Sequence, residues 1–199
     1  NDYFIRLYRN DSSFIQTKKS IFSSQAFDLI RSQLFEFEES ISMCFNYSVN
    51  NKHGLLRANG DTVLLPEWDE IKVFDKNLVR VKKERKYGLF DLNGERVLKA
   101  DYDAISNYDR GGLSLFRKGR FGYINPELNI FLDTEFSSSL KLLENSRSYL
   151  SQKIDNNLKL IDTEGNELAR GKDFEALNDS LIFFNEDFKW KLMKTAKDN

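Results

Sequence analysis

Residues 86–105 read KYGLFDLNGERVLKADYDAI, and the same pattern stands 34 residues away on either side. Residues 52–71 read KHGLLRANGDTVLLPEWDEI, and residues 120–139 read RFGYINPELNIFLDTEFSSS. Two landmarks share this spacing, a glycine near the start and an aromatic residue near the end. They are Gly54, Gly88 and Gly122, and Trp68, Tyr102 and Phe136. An internal period of this size indicates a repeat array.

Weaker copies of the pattern flank these three. Residues 157–177 read NLKLIDTEGNELARGKDFEAL, with Lys159 in the glycine position, and KWKLMKT from Lys189 restarts the unit. Near the other end, YFIRLYRNDSSFI from Tyr3 aligns with KYGLFDLNGERVL. We therefore predict a single repeat domain over residues 1–199. Its units are about 3–51 (degenerate, with an insertion), 52–85, 86–119, 120–156 and 157–188, with a closing strand at 189–195.

Each unit is expected to consist of three short antiparallel strands. Asn93-Gly94 lies between YGLFDL and ERVL, and Asn-Gly accepts the positive φ angles of a type I′ hairpin turn. Asn59-Gly60 repeats this signal and Glu164-Gly165 approximates it, whereas Pro126 implies a different turn in its unit. Residues 77–84 and 112–119 then predict a third strand.

The first unit leaves one alternative open. Apolar residues alternate with polar ones over 41–49, which predicts a half-buried strand. Upstream of it, Phe27, Ile30, Leu34, Phe37 and Ile41 follow a spacing of three to four, which is typical of a short amphipathic helix inserted over residues 24–40; the alternative is that no helix interrupts the β pattern there.

The strand YGLFDL is apolar on both faces, with Tyr87 and Leu89 on one side and Phe90 and Leu92 on the other. A hairpin cannot bury both faces alone, so a neighbouring unit must cover it. The repeated glycines are expected where backbones approach closely. We predict an all-β array, open and twisted or solenoid-like, with a closed five-bladed propeller as the alternative.

These residues resemble the bacterial WG repeat family. The resemblance rests on the aromatic-glycine pair, the turn with glycine and the later aromatic-acidic step, as in YGLFDLNG…YDAI and HGLLRANG…WDEI. Tryptophan itself stands at the first signature position only at Trp190, where Lys191 follows instead of glycine. The resemblance implies a β-rich module that serves as a binding scaffold, with no established catalytic residues.

Motifs for catalysis, metals or cofactors are scarce. Cys44 and His53 are the only cysteine and histidine, which excludes a Cys/His zinc site, and His53 occupies an aromatic packing position. Neither a Walker-type loop nor a GxGxxG motif occurs, so we expect no cofactor. Acidic residues cluster beside the repeated aromatics and are interpreted as a solvated turn rim rather than a metal or hydrolase site. They are Glu67, Asp69 and Glu70, and Asp101, Asp103 and Asp109.

The basic residues give a candidate binding surface. The net charge is −1, from 30 basic and 31 acidic residues, which argues against a broadly basic nucleic-acid binder. Nevertheless, several cations recur one period apart and form a possible ladder beside two repeated aromatics; the ordinary alternative is charged turn tips. The candidate binding residues are Lys52, Lys83, Lys86, Arg117, Arg120, Trp68 and Tyr102.

The leading functional prediction is a non-catalytic module that binds a protein partner, within a larger bacterial protein or complex. The alternative is recognition of a polyanion, such as nucleic acid, or of a polysaccharide, through the basic ladder and exposed aromatics; a hydrolase using Asp101 and Asp103 is the least favoured.

No apolar run reaches the length of a membrane span, so we expect a soluble region. The chain starts with Asn1 and lacks a signal-peptide pattern, so we expect a processed protein or an excised fragment and leave the compartment open.

Overall fold

A computed structural model shows β-strands and no helix among the residues that it describes. These are 5–9, 12–16, 21–27, 29–37, 40–57, 61–74, 78–106, 112–125 and 127–195, with side chains described from residue 44. The all-β prediction is therefore confirmed. The alternative of a helix over 24–40 is wrong, because this region forms two strands and the second pairs residue by residue with the strand over 40–49.

The chain divides into two compact units, residues 1–101 and residues 102–199. The strands of the first unit are β1 (Ile5–Arg9), β2 (Ser12–Gln16), β3 (Ile21–Phe27), β4 (Leu29–Phe37), β5 (Ser40–Val49), β6 (Lys52–Arg57), β7 (Thr62–Trp68), β8 (Glu70–Val73), β9 (Leu78–Lys83), β10 (Lys86–Asp91) and β11 (Arg96–Tyr102, whose last residue begins the second unit). The strands of the second unit are β12 (Ala104–Ile105), β13 (Leu113–Arg117), β14 (Arg120–Ile124), β15 (Phe131–Phe136), β16 (Leu140–Leu142), β17 (Tyr149–Ile154), β18 (Asn157–Asp162), β19 (Glu167–Gly171), β20 (Asp173–Ala176), β21 (Leu181–Glu186) and β22 (Lys189–Lys194).

Within the described residues these strands form six small antiparallel sheets, each in chain order. Strands β1–β3 and β20–β22 form sheets of three, and β4–β7, β8–β11, β12–β15 and β16–β19 form sheets of four. Four sheets thus have one strand more than the three expected. The additional strand is the first one, and β8, β12 and β16 are only two to four residues long, too short to show an alternating pattern.

The sheets are out of phase with the sequence repeat. Each four-stranded sheet after the first begins just beyond a repeated aromatic; for example, only Asp69 separates Trp68 at the end of β7 from β8. The repeat 52–85 therefore contributes β6 and β7 to one sheet and β8 and β9 to the next. Consecutive repeats are joined by backbone hydrogen bonds as well as by packing.

The hairpins are confirmed, but the turn type predicted at Asn93-Gly94 is wrong. Asp91 opens a three-residue loop in which only Gly94 has a positive φ, 84°. The Asp91 carboxylate accepts hydrogen bonds from the amides of Asn93 and Glu95, at 2.9 and 2.7 Å, which favours a type I turn followed by glycine. Asp162 and Gly165 form the same loop, whereas Asn59-Gly60 and Pro126 lie outside the described residues.

Two-residue turns with positive φ at both positions occur instead at four other hairpins. Their φ angles lie between 50° and 77°. They are Asn50-Asn51, Glu84-Arg85, Lys118-Gly119 and Asp187-Phe188.

Two of the repeated glycines, Gly88 and Gly122, lie where two backbones approach closely, as predicted, whereas a Cβ at Gly54 would meet the Tyr47 ring. Opposite Gly122, strand β15 bulges, because Phe121 pairs with Phe136 while Tyr123 already pairs with Leu132. A Cβ at Gly122 would lie 2.5 Å from the Leu132 carbonyl oxygen. At Gly88 a Cβ would lie 2.9 Å from the Leu98 carbonyl oxygen. Glycine at this position leaves room for the bulge.

The core is built where one sheet covers the next. In the first unit, Leu55 of β6 packs in a cluster with Ile71 and Val79 of the following sheet. In the second unit, Tyr123 of β14 packs with Leu150, and Leu160 of β18 packs with Ile182. In these three cases the third strand of a sheet is buried by the first two strands of the sheet that follows it.

Candidate functional site

The acidic residue after the repeated aromatic supports a hairpin turn. Asp69 Oδ2 accepts a hydrogen bond of 2.8 Å from the amide of Glu84, the first residue of the β9–β10 turn. One period later, Asp103 Oδ2 accepts one of 2.8 Å from the amide of Lys118. A carboxylate that satisfies a turn amide in each copy has a structural role, which accounts for its repetition.

Asp69 also binds one of the predicted ladder residues. Lys52 Nζ lies 2.5 Å from Asp69 Oδ1. The hydrogen bond from Lys52, followed by that from the Glu84 amide, holds the pKa of Asp69 below its ordinary value. An ionised Asp69 is therefore the form that holds both the turn and the lysine.

Lys83 and Arg117 occupy equivalent positions over the repeated aromatics. Lys83 Nζ lies 5.5 Å from the centre of the Trp68 ring and 3.1 Å from Glu67 Oε2. The Arg117 guanidinium lies 5.0 Å from the centre of the Tyr102 ring. Cations at this distance from a ring face are attracted to it.

Arg117 is also held by β15. Its Nη2 lies 2.9 and 3.0 Å from the two carboxylate oxygens of Asp133, and its Nε donates to Thr134 Oγ1 at 3.1 Å. Lys52, Lys83 and Arg117 are thus neutralised by nearby carboxylates. A strongly positive stripe does not form at these three positions.

The two remaining ladder residues lie directly across their hairpins. Lys86 is paired with Lys83 in the β9–β10 register, and Arg120 with Arg117 in the β13–β14 register. Arg120 is exposed and Lys86 is partly so. The structure therefore brings Lys83 with Lys86, and Arg117 with Arg120, to the ends of two hairpins.

The two candidate aromatics are buried, so the prediction that they are exposed is wrong. Trp68 and Tyr102 are 7% and 5% exposed. Trp68 packs edge to face on Phe90, with ring centres 5.4 Å apart. Each of these rings lies at the end of a strand with a cation above it. Burial of a large aromatic ring stabilises the fold because its apolar surface is removed from water.

The other titratable residues considered as candidates are also placed where they pack or form ion pairs within the fold. His53 is half-buried and lies opposite Trp68 in the β6–β7 pairing. Burial raises the pKa of the Cys44 thiol, which disfavours the reactive thiolate. Glu70 pairs with Arg80 at 3.2 Å. No cluster of three or more metal-ligating side chains occurs in the described part of the chain, where Asp109 is not included.

Sequence reasoning missed an exposed apolar hairpin at residues 181–194. Phe188 in its turn is 94% exposed, Trp190 is 53% exposed, and Leu192 is also exposed. A cavity of about 300 Å³ lies beside the end of β22 and is lined in part by Tyr149, Leu168, Met193 and Lys194. The apolar residues of KWKLMK are visible in the sequence. Because this segment aligns with strands of the other units that were expected to be buried, its side chains were expected to be buried too.

A membrane-crossing helix is absent from the described residues. No curated protein matches the chain.

Several solved structures are similar to this chain at low sequence identity. One described as a eukaryotic initiation factor is 12% identical with a TM-score of 0.44, over 81% of this chain and 51% of its own. Hsv2p of Kluyveromyces lactis is 10% identical with a TM-score of 0.38, over 97% and 71%. PorZ of Porphyromonas gingivalis, described as a surface component of the type-IX secretion system, is 11% identical with a TM-score of 0.35, over 97% and 32%. The chain thus spans about half the length of the first of these proteins.

A family match covers the two sharpest repeats. The sequence model of the family described as WG containing repeat matches residues 54–87 and again residues 87–120. The resemblance seen in the sequence is confirmed over residues 54–120, which match the WG containing repeat family.

Proposed function

We propose that this chain is a non-catalytic interaction module that binds a protein partner, as part of a larger protein or complex. The observation that carries the proposal is the exposed apolar hairpin of β21 and β22, with Phe188, Trp190 and Leu192. Exposed aromatic and aliphatic side chains grouped on one element are typical of surfaces that bind other proteins.

The repeated polar residues favour this function over the alternatives. Asp69 and Asp103 hold hairpin turns, which leaves them poorly placed for acid–base chemistry on a substrate. Lys52, Lys83 and Arg117 are paired with carboxylates, so a polyanion would have to displace those carboxylates to bind them.

The proposal is tested by affinity capture from extracts of the cells that produce the protein, after nuclease treatment. The ladder variant carries Lys86→Glu and Arg120→Glu, which place carboxylates opposite Lys83 and Arg117 and so preserve folding. The hairpin variant carries Phe188→Asn and Trp190→Ser, with asparagine suited to the φ of 62° at position 188. Circular dichroism establishes that both variants fold.

We expect a protein to be captured by the unaltered chain and by the ladder variant, but not by the hairpin variant. Capture should persist at about 0.5 M salt, because apolar contacts are not screened. Capture of a glycan, or of nucleic acid in a parallel experiment without nuclease, by all forms except the ladder variant would contradict the proposal, as would the absence of any captured partner.

A further inference from the structure

The loop between β10 and β11 contains an Asn-Gly pair whose chemistry goes beyond its role in the turn. Asn93 is exposed to solvent, and Gly94 follows it. In such a pair the amide nitrogen of the glycine can attack the side-chain carbonyl carbon of the asparagine, because glycine has no Cβ to obstruct the approach. The hydrogen bonds of this loop determine whether the folded chain favours or prevents that attack.

An arginine contacts the oxygen on which charge develops in such a reaction. Arg57 of β6 reaches the loop from the preceding sheet, and its Nη2 donates to Asn93 Oδ1 at 2.8 Å and to the Leu92 carbonyl oxygen at 2.9 Å. Attack on the Asn93 side chain makes its carbonyl carbon tetrahedral and places negative charge on Oδ1. A donor that is already fixed at this oxygen stabilises that charge.

Asp91 holds the other end of the same amide. Its Oδ2 accepts a hydrogen bond of 3.3 Å from Asn93 Nδ2, and its Oδ1 accepts one of 2.9 Å from the main-chain amide of Asn93. The Gly94 amide is held less tightly. Its hydrogen bond to the Asp91 carbonyl oxygen is 3.2 Å long, at the upper end of the usual range of about 2.7–3.2 Å. The attacking nitrogen is therefore less constrained than the amide that it attacks.

We propose that Asn93-Gly94 is a self-modification site, at which the Asn93 side chain loses its amide group through a succinimide and becomes aspartate or isoaspartate. Arg57 is the catalytic donor at Asn93 Oδ1, and Asp91 positions the amide. The modification needs no partner and is independent of the proposed function.

The reaction consumes only water. The Gly94 amide gives its proton to solvent, and its nitrogen forms a bond to Asn93 Cγ. The bond from Cγ to Nδ2 then breaks, and Nδ2 takes up a proton from solvent and leaves as ammonia. Water next adds to one of the two carbonyl carbons of the five-membered ring. Cleavage of the new bond to Cγ gives aspartate, whereas cleavage of the original peptide bond gives isoaspartate. Neither step involves an oxidation or a reduction.

The isoaspartyl product does not fit the observed loop. A Cβ at Gly94 would lie only 2.5 Å from the Val63 carbonyl oxygen, so the loop lies close against β7 of the preceding sheet. Isoaspartate lengthens the main chain by one carbon immediately before this contact. The aspartyl product keeps the original chain length, and its carboxylate would meet Arg57. Isoaspartate should therefore loosen the packing between the two sheets, whereas aspartate should preserve it.

The loop between β18 and β19 is a matched control within the same chain. Asp162 Oδ1 accepts from the amides of Glu164 and Asn166 at 2.9 and 2.8 Å, and the Gly165 amide donates to the Asp162 carbonyl oxygen at 3.2 Å, as in the first loop. Within the described residues the Glu164 side chain is bonded by Asn166 and by no arginine. The Glu164→Asn chain therefore has an Asn-Gly pair in the same kind of loop without the arginine donor.

The experiment follows loss of the amide in the full chain during incubation in mildly alkaline buffer. Trypsin releases Asn93 in the peptide YGLFDLNGER, residues 87–96, apart from the second Asn-Gly pair at residues 59–60. Mass spectrometry of this peptide measures the amide that remains, and fragmentation distinguishes isoaspartate from aspartate. We expect both products at position 93.

Two comparisons test the role of Arg57. A donor at the developing oxyanion accelerates reactions in water-excluded sites by about a hundredfold or more, and at the exposed Asn93 we expect about tenfold. Arg57→Met should therefore slow the loss of the Asn93 amide about tenfold, whereas Arg96→Met, at an exposed arginine after the same loop, should not change it. In the Glu164→Asn chain, Asn93 should react about tenfold faster than the asparagine introduced at position 164.

Three results would overturn the proposal. The first is an Asn93 amide that persists through the incubation, and the second is equal rates in the two loops of the Glu164→Asn chain. The third is faster loss in the Arg57→Met chain, which would show that Arg57 protects the amide by restraining it. The Glu164→Asn comparison leaves Arg57 in place, so it remains decisive if Arg57→Met impairs folding.

The melting temperature tests the consequence for the fold. The isoaspartyl form, isolated from incubated protein by ion-exchange chromatography, should melt at a lower temperature than the Asn93→Asp chain, which has the same charge on an unlengthened main chain. Equal melting temperatures would contradict the loss of packing against Val63.

Discussion

The sheets β16–β19 and β20–β22 differ although their third strands are close relatives. Both strands carry lysine in place of the repeated glycine, followed by leucine, as Lys159-Leu160 and Lys191-Leu192. Leu160 is fully buried because it packs with Phe174 and Ile182 of the next sheet, whereas Leu192 is half exposed. The comparison shows that the strand sequence determines which side chains can form a core, and that the neighbouring sheet determines whether they do.

The largest expected effect is at these two leucines. Leu160→Ala should lower the free energy of unfolding by about 2–5 kcal/mol, because it leaves a cavity in a close-packed cluster. Leu192→Ala should change it by no more than about 0.5 kcal/mol, since half of its side chain is already in water. Urea unfolding followed by circular dichroism measures both, and equal effects would show that Leu192 is covered in solution.

The second largest effect on stability is expected at the repeated glycine position. Gly122→Ala should destabilise the protein by about 1–3 kcal/mol, because its Cβ would meet the Leu132 carbonyl oxygen of the fourth strand at 2.5 Å. Lys191 has no fourth strand opposite it in the described structure, so Lys191→Ala should have little effect. The melting temperatures of the two variants decide this, and an unchanged melting temperature for Gly122→Ala would contradict the observed bulge.

A smaller effect on the free energy of unfolding is expected at acidic pH. Hydrogen bonds from Arg170 and then from Lys159 lower the pKa of Glu167 from 4.5 to about 2. Because the pKa is lower in the folded protein, the stabilisation is complete above about pH 4.5 and is lost as the pH falls towards 2. Glu167→Gln should therefore reduce the decrease in unfolding free energy over this range, measured by urea unfolding at each pH.

The control for the acid experiment lies in the last hairpin. Asp187→Asn replaces an exposed carboxylate in a different turn, between β21 and β22, and serves as the comparison variant. If Glu167→Gln had the same pH dependence of unfolding as Asp187→Asn, the carboxylate pairing seen between β18 and β19 would not contribute to stability in solution.

The smallest effect on stability is expected at Trp190, and fluorescence detects its environment directly. The Trp68→Phe protein retains only the exposed tryptophan, and its emission should lie at long wavelength and be readily quenched by acrylamide. The Trp190→Phe protein retains only the buried one and should show the opposite. Equal quenching of the two proteins would mean that the last sheet is covered in solution.

Much of the fold could be predicted from the sequence because the weak local signals for strands and turns recur in several copies of the repeat. Strands at 77–84, 86–91 and 96–102 recur at a constant spacing, so each copy supports the interpretation of the others. The short strand β8 was not predicted, because its four residues, Glu70–Val73, carry too little pattern. The turn at Asn93-Gly94 was assigned to the wrong type because the carboxylate of Asp91 binds two amides of the loop and selects another geometry.

The candidate site was less predictable. The sequence placed the cations one period apart, but it contained no sign that Lys83 and Arg117 cover the Trp68 and Tyr102 rings and pair with acids from neighbouring strands. Distances between side chains on different strands depend on register, and the bulges opposite Gly54 and Gly122 change that register.

The sequence by itself therefore determined the period, the β-class, the match of residues 54–120 to the WG containing repeat family, and the close backbone approaches at Gly88 and Gly122. These are local properties that recur in every copy. Only the tertiary structure decided that sheets combine strands from two repeats, that Trp68 and Tyr102 are buried, and that Leu192 is half exposed. The reason is that burial and pairing depend on neighbouring strands and sheets, so related strand sequences acquire different surroundings where those neighbours differ.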